Sequence, residues 1–128
     1  MDAFVLQDWV TVRGAASTTV TQSEHEWLDL APYEDVVFWL QVSNVTSTPT
    51  LLYQTSPNKD ESFFAAQTSG MTGTGIALTA ASTAVVTPVL AWNATYPLAR
   101  WVRWQLIPPS AAFDVTMRIL VAAVAPRQ

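Results

Sequence analysis

The only histidine of this chain stands among acidic residues, in the segment Glu24-His25-Glu26-Trp27-Leu28-Asp29. A histidine beside carboxylates can hold a metal ion or act as a general base. A zinc-binding His-Glu-x-x-His motif needs a helix to bring its ligands onto one face, and Asp29 stands here in place of the second histidine. The segment alternates as a strand does. We therefore expect a solvated strand face and no metal site.

Other groups that could carry out catalysis are few. The chain has no cysteine, and a serine nucleophile would depend on His25, beside which the sequence fixes no serine. The carboxylate pairs Glu34-Asp35 and Asp60-Glu61 lie in predicted turns, where charge solvates a loop. The glycine-containing run from Thr68 to Gly75 lacks the lysine and the strand-to-helix context of a phosphate-binding loop. We expect that the chain is not an enzyme and binds no cofactor.

The chain is rich in tryptophan, with six copies in 128 residues. In the predicted strand around Trp101, residues Trp101, Arg103 and Gln105 alternate with Arg100, Val102, Trp104 and Leu106, so each face carries a tryptophan and an arginine. An outward tryptophan beside arginine can stack on a sugar ring or anchor a protein interface. The alternative, in which these rings fill the core and the edges of the fold, remains open.

The charge content of the chain is low. Charged residues make up 12% of the sequence and apolar residues 50%, whereas about 25% charged residues is usual for a soluble domain. Such a composition predicts that part of the surface is covered by self-association or docking. A net charge of -4 with six Lys and Arg argues against binding nucleic acid. The longest apolar runs, 36–40 and 119–125, are shorter than the about 18 residues of a membrane span.

Period-two patterns extend along most of the sequence. The first is Phe4, Leu6, Val10 and Val12 alternating with Val5, Gln7, Trp9 and Thr11. Further strands are predicted at 17–21, 26–30, 36–42, 50–55, 63–67, 84–89, 99–106 and 113–124. In the last strand the odd-numbered residues from Phe113 to Val121 are expected in the core. The chain is thus predicted to be all-β, a single antiparallel β-sandwich domain over residues 1–128, jelly-roll-like, with about eight or nine strands.

Two segments carry a resemblance to known families. Tyr53-Gln54-Thr55-Ser56-Pro57-Asn58-Lys59-Asp60-Glu61-Ser62-Phe63, followed by Ala99-Arg100-Trp101-Val102-Arg103-Trp104, resembles the paired strands of discoidin-type, galactose-binding-like jelly rolls. Related patterns occur in small structural proteins of tailed bacteriophages. The resemblance implies a β-sandwich. The chain is also similar to small head-decoration proteins, which sit on capsids as trimers.

The leading functional hypothesis is therefore a non-enzymatic virion component, a capsid decoration protein. We expect it to form a homo-oligomer, with a trimer favoured, and to contact a major capsid or other virion protein. Because Met1-Asp2-Ala3-Phe4 has no basic region of a secretory signal, we expect synthesis in the host cytoplasm and a place on the virion surface. No nucleic acid or membrane partner is expected. The interface candidates are Phe4, Val5, Trp9, Trp39, Trp92 and Trp101. The alternative is a carbohydrate-binding module on a phage tail or host-recognition device.

Overall fold

The computed structural model describes residues 2–31, 33, 35–66, 76–79, 85–89 and 99–124. Within these ranges the regular structure consists of strands and two short 3-10 helices, at Glu24–Glu26 and Glu61–Phe63. The strands are β1 (Asp2–Gly14), β2 (Val20–Thr21), β3 (Leu28–Asp29), β4 (Asp35–Thr46), β5 (Thr50–Ser56), β6 (Ala65–Ala66), β7 (Ile76–Ala77), β8 (Val85–Val89), β9 (Trp101–Ile107) and β10 (Phe113–Val124).

The strands form two antiparallel sheets. The first sheet has the order β1-β10-β4-β8 and the second has the order β2-β9-β5-β6, with β3 also paired to β9 and β7 to β5. β1 pairs with β10, β2 and β3 pair with β9, β4 pairs with β8, and β5 pairs with β7 and β6. A hairpin ribbon folded back on itself in this order is a jelly roll. The predicted all-β class and two-sheet sandwich are confirmed.

The core lies between the sheets and is built from alternate residues of each long strand. Every odd-numbered residue of β10 from Phe113 to Ala123 is buried, and β10 lies between β1 and β4, so the prediction for this strand is confirmed. Phe38 of β4 stacks on Tyr53 of β5 with ring centroids 4.0 Å apart. This stack joins the middle of the two sheets.

The short strands depart from their predicted limits. The segment predicted as a strand at 26–30 contributes only Leu28–Asp29, and a 3-10 helix at Glu24–Glu26 stands before it. Another 3-10 helix, at Glu61–Phe63, reaches into the strand predicted at 63–67, and Ile76–Ala77 adds a strand that was not predicted. These elements lie at the margins of the second sheet, where pairing to β9 or β5 decides the conformation more than local alternation does.

A buried amide network ties β1 of the first sheet to β9 of the second. Gln22 is 2% exposed, and its Nε2 donates to the Leu6 carbonyl at 2.6 Å. Its Oε1 accepts from the Trp104 backbone N–H at 3.3 Å. The Trp104 indole Nε1 donates to Gln7 Oε1 at 3.0 Å. Gln22 follows β2, and the pairing to β9 continues through its backbone N–H, which donates to the Trp104 carbonyl at 3.1 Å, and through its side-chain Oε1.

Candidate interaction surface

The outer face of the first sheet carries two rows of apolar residues that cross three strands in register. One row aligns Val5 of β1, Leu120 of β10 and Trp39 of β4. The adjacent row aligns Ala3, Ala122 and Val37 on the same three strands. We call the following set the apolar face: Ala3, Val5, Trp9, Val37, Trp39, Leu120, Ala122 and Val124.

The residues of the apolar face are partly open to solvent. Val5, Trp9 and Val124 are 54%, 44% and 40% exposed, while Trp39 and Leu120 are half-buried between their neighbours. Aligned side chains on one face of a sheet lie about 5 Å apart and contact each other. The two rows therefore form one continuous surface rather than scattered exposed groups.

Two irregularities in β1 bury Gln7 and leave Trp9 on this surface. The register between β1 and β10 shifts between Val5 and Gln7 and again between Gln7 and Val10. Simple alternation predicts Val5, Gln7 and Trp9 on one side, but the first shift turns Gln7 into the interior, where it is 7% exposed. The second shift turns Trp9 outward again. A β-bulge redirects side chains in this way because it places an extra residue on one strand.

A single arginine stands beside Trp9. The Arg118 guanidinium lies 5.1 Å from the centroid of the Trp9 ring, and its Nε donates to Gln41 Oε1 at 2.8 Å. An ion pair on this side of the sheet, Arg13 with Asp114 at 3.3 Å, lies at the far end of the strands. The two apolar rows of β1, β10 and β4 consequently contain no charged side chain.

The outer face of the second sheet is covered by side chains of the same molecule. Arg103 is 2% exposed, and its guanidinium lies 3.8 Å from the Phe64 ring centroid and 5.1 Å from that of Trp27. Its Nε donates to Gln54 Oε1 at 2.8 Å. The segments that contain Trp27 and Phe64 follow the two 3-10 helices, so these turns close much of this face.

Trp101 lies at one end of the second sheet, where two cations meet its ring. Lys59 Nζ is 4.5 Å and the Arg100 guanidinium carbon 5.2 Å from the ring centroid. Arg100 also pairs with Asp29, with Nη2 2.9 Å from Oδ2. Hydrogen bonding from Arg100 lowers the pKa of Asp29 below its usual value and, reciprocally, the pKa of Arg100 is raised. Trp101 is half-buried, so only part of its ring is open.

Comparison with known proteins adds no relative. No protein-family model, curated protein or solved structure matches this chain. Among the described residues, no group of three or more His, Asp or Glu is placed to hold a metal ion. In the same ranges no helix is long and apolar enough to cross a membrane. Functional inference therefore depends on the geometry of the surfaces.

The structure brings three of the predicted interface residues together. Val5, Trp9 and Trp39 belong to the apolar face. Phe4 points the other way and packs on the core, with its ring 5.3 Å from that of Tyr33, and Trp101 lies on the other sheet. Trp92 lies outside the described residues.

Five members of the apolar face were not among the predicted interface residues: Ala3, Val37, Leu120, Ala122 and Val124. Leu120 and Ala122 were missed because they lie in β10, whose odd-numbered residues form the core, and nothing in that strand distinguishes a solvated outer face from a contact surface. Their register with Val5, Trp39 and Val37 is the signal, and it appears only once the strands are paired.

Proposed function

We propose that this chain is a non-enzymatic structural protein of a virus particle, a bacteriophage capsid decoration or cement protein that acts through self-association and apolar surface burial. The observation that supports the proposal most is the apolar face, whose two rows form a continuous surface without a charged side chain. Such a face is suited to a protein contact because apolar side chains give up few hydrogen bonds to water when a partner covers them.

The free energy expected from covering the apolar face favours a repeated assembly over an isolated complex. Full burial of a large apolar side chain contributes about 1.5–3 kcal/mol. The six members of the face that are larger than alanine are already partly buried, so covering them yields on the order of 4–9 kcal/mol. Association costs about 4–15 kcal/mol in lost freedom. One such contact is weak by itself, whereas copies held side by side on a symmetric particle bind through multivalency.

Under this proposal the partners are other copies of the chain and a major capsid or other virion protein. The chain is made in the host cytoplasm and joins the virion surface on assembly. Its stability depends on packing between the two sheets, because the sequence has no cysteine and hence no disulfide.

A sedimentation assay tests the proposal. Purified chain is mixed with capsids of the virus that carries its coding sequence, after the capsids have been stripped of it, and the mixture is centrifuged through a gradient. We expect the native chain to travel with the capsids and the Leu120→Glu variant to remain at the top. The matched control is Phe63→Glu, at a 56% exposed position on the 3-10 helix Glu61–Phe63. Native chain that never travels with capsids contradicts the proposal.

A carbohydrate-binding module on a phage tail is the second candidate, and the surroundings of Trp101 favour it. A half-open indole with Lys59 and Arg100 close to its ring could stack on a sugar and pair with an acidic substituent. A glycan-array signal that is lost in Trp101→Ala and retained in Trp9→Ala would support this candidate over capsid decoration.

A further inference from the structure

We propose that the apolar face is covered by a second copy of this chain, packed face to face about a two-fold axis. The inference deepens the proposed function, because it rests on the same apolar burial and names the first partner. It predicts a dimer as the assembling unit, in place of the trimer that the resemblance to decoration proteins implies.

The distribution of side chains on the face meets the requirement of a two-fold contact. In such a contact the same patch stands on both sides, so any charge near the axis meets its own like charge. The rows Ala3–Ala122–Val37 and Val5–Leu120–Trp39 carry no charge, and Arg118, at the next level along β10, is held by Gln41. Two copies of a chain of net charge -4 can therefore pack through these rows without electrostatic repulsion near the two-fold axis.

The size of the apolar face fits a weak dimer. Strands lie about 4.8 Å apart and rise about 3.4 Å per residue, so the three strands β1, β10 and β4, measured over residues 118–124 of β10, cover about 340 Å². Two such faces bury about 700 Å² in total, less than the about 1,200 Å² at the lower end of the range for specific interfaces. A dimer of this size is expected to be weak and to dissociate on dilution.

The edge of β1 is a poor alternative route to self-association. Edge-to-edge pairing needs a run of regular strand with open backbone groups. The register shifts of β1 begin after Val5 and continue to Val10, which breaks the regular edge into short pieces. The edge of β1 therefore offers no long regular strand to a second copy.

The number of copies follows from the use of a single patch. A face that pairs with itself closes after two copies, whereas a trimer needs two different complementary patches on each copy. The outer face of the second sheet, which could supply another patch, is occupied by Trp27, Arg103 and Phe64 of the same chain.

Light scattering coupled to size exclusion, over a dilution series, tests the inference. We expect the native chain to show twice its mass of 14.0 kDa at high concentration and to approach the single mass on dilution. Val5→Glu and Leu120→Glu should each weaken the dimer at least tenfold, and Phe63→Glu should leave it unchanged. Val5 is 54% exposed on an edge strand, so this variant keeps the test valid if Leu120→Glu fails to fold.

The outcomes separate the dimer from the proposed function. A native chain that stays monomeric at all concentrations, forms a trimer, or forms a dimer insensitive to both glutamate variants overturns the inference. Loss of capsid sedimentation in a chain that still dimerises would instead contradict the decoration role. A monomer that nonetheless travels with capsids would retain the decoration role and assign the apolar face to the capsid protein.

Discussion

Replacement of Gln22 by methionine should destabilise the fold. The substitution keeps the length of the side chain and removes its amide. Two buried groups then lose a partner: the Leu6 carbonyl, bonded at 2.6 Å, and the Trp104 N–H, bonded at 3.3 Å. The less buried Glu26 carbonyl, bonded at 3.2 Å, also loses its bond to this amide. A buried polar group left without its partner costs about 1–3 kcal/mol, so the two buried groups together cost about 2–6 kcal/mol. After about 1 kcal/mol is returned by the added apolar surface, the net loss is about 1–5 kcal/mol.

Urea unfolding followed by tryptophan fluorescence measures this loss. With a slope of about 2 kcal/mol per molar urea, the midpoint of Gln22→Met should fall by about 0.5–2.5 M at an unchanged slope. The matched control is Gln105→Met on the outer face of the second sheet, where the lost bonds to Thr21 and Gln54 can be replaced by water. We expect this control to shift the midpoint by less than about half as much. Equal midpoints for the two variants would refute the argument.

A double-mutant cycle with Gln7→Met extends the test. Gln7 accepts the Trp104 indole N–H at 3.0 Å and lies next to the Gln22 amide. Residues in one hydrogen-bond network typically show coupling of about 0.5–3 kcal/mol, so the losses of the two single variants should not add. Strict additivity would mean that the two amides act independently.

Three further changes test other parts of the fold. The Tyr53 hydroxyl is buried without a hydrogen-bond partner among the described residues, so Tyr53→Phe should leave the urea midpoint unchanged or raise the stability by about 1 kcal/mol; a clear decrease would show that the hydroxyl is bonded. A methyl group at Gly14 would overlap the buried Phe113 ring, so Gly14→Ala should cost about 1–3 kcal/mol, and a smaller loss would show that the ring moves aside freely. Arg100 lowers the pKa of Asp29, so the ion pair stabilises the fold above the ordinary Asp pKa of about 3.9 and this stabilisation is lost as the pH falls through the lowered value. The difference in urea midpoint between the native chain and Asp29→Asn should accordingly be larger at neutral pH than below about pH 4. A difference independent of pH would contradict this assignment.

The sequence predicts the long central strands well and the edge strand poorly, for a physical reason. β10 has a neighbour on both sides, so its alternation is enforced by the core on one face along its whole length. β1 is an edge strand, and its bulges are not encoded by alternation. For that reason Gln7 was predicted to share a face with Val5, whereas it is buried and receives a hydrogen bond from Trp104.

The candidate surface was predicted in part. The runs around Trp39 and Trp101 look alike in sequence, since both carry aromatic residues on strands that are apolar on more than one side. Pairing resolves Trp39 into a row with Val5 and Leu120. Trp101 lies instead at the end of a strand whose outer face is closed by the chain itself. Only contacts between distant segments distinguish the two cases, and alternation within a strand carries no information about them.

The difference between the two outer faces is the strongest structural argument about where a partner binds. The outer face of the second sheet has Arg103 at its centre. This residue is covered by the rings of Trp27 and Phe64 and donates a hydrogen bond to Gln54. The first sheet has comparable apolar residues at its centre and no described segment above Trp39. Under our proposal, the partner covers the two apolar rows of the first sheet, because the outer face of the second sheet is covered by aromatic side chains of the same chain. If that reasoning is correct, a charge at Val5 or Leu120 will impair association without impairing folding, and a change at Gln22 will impair folding first.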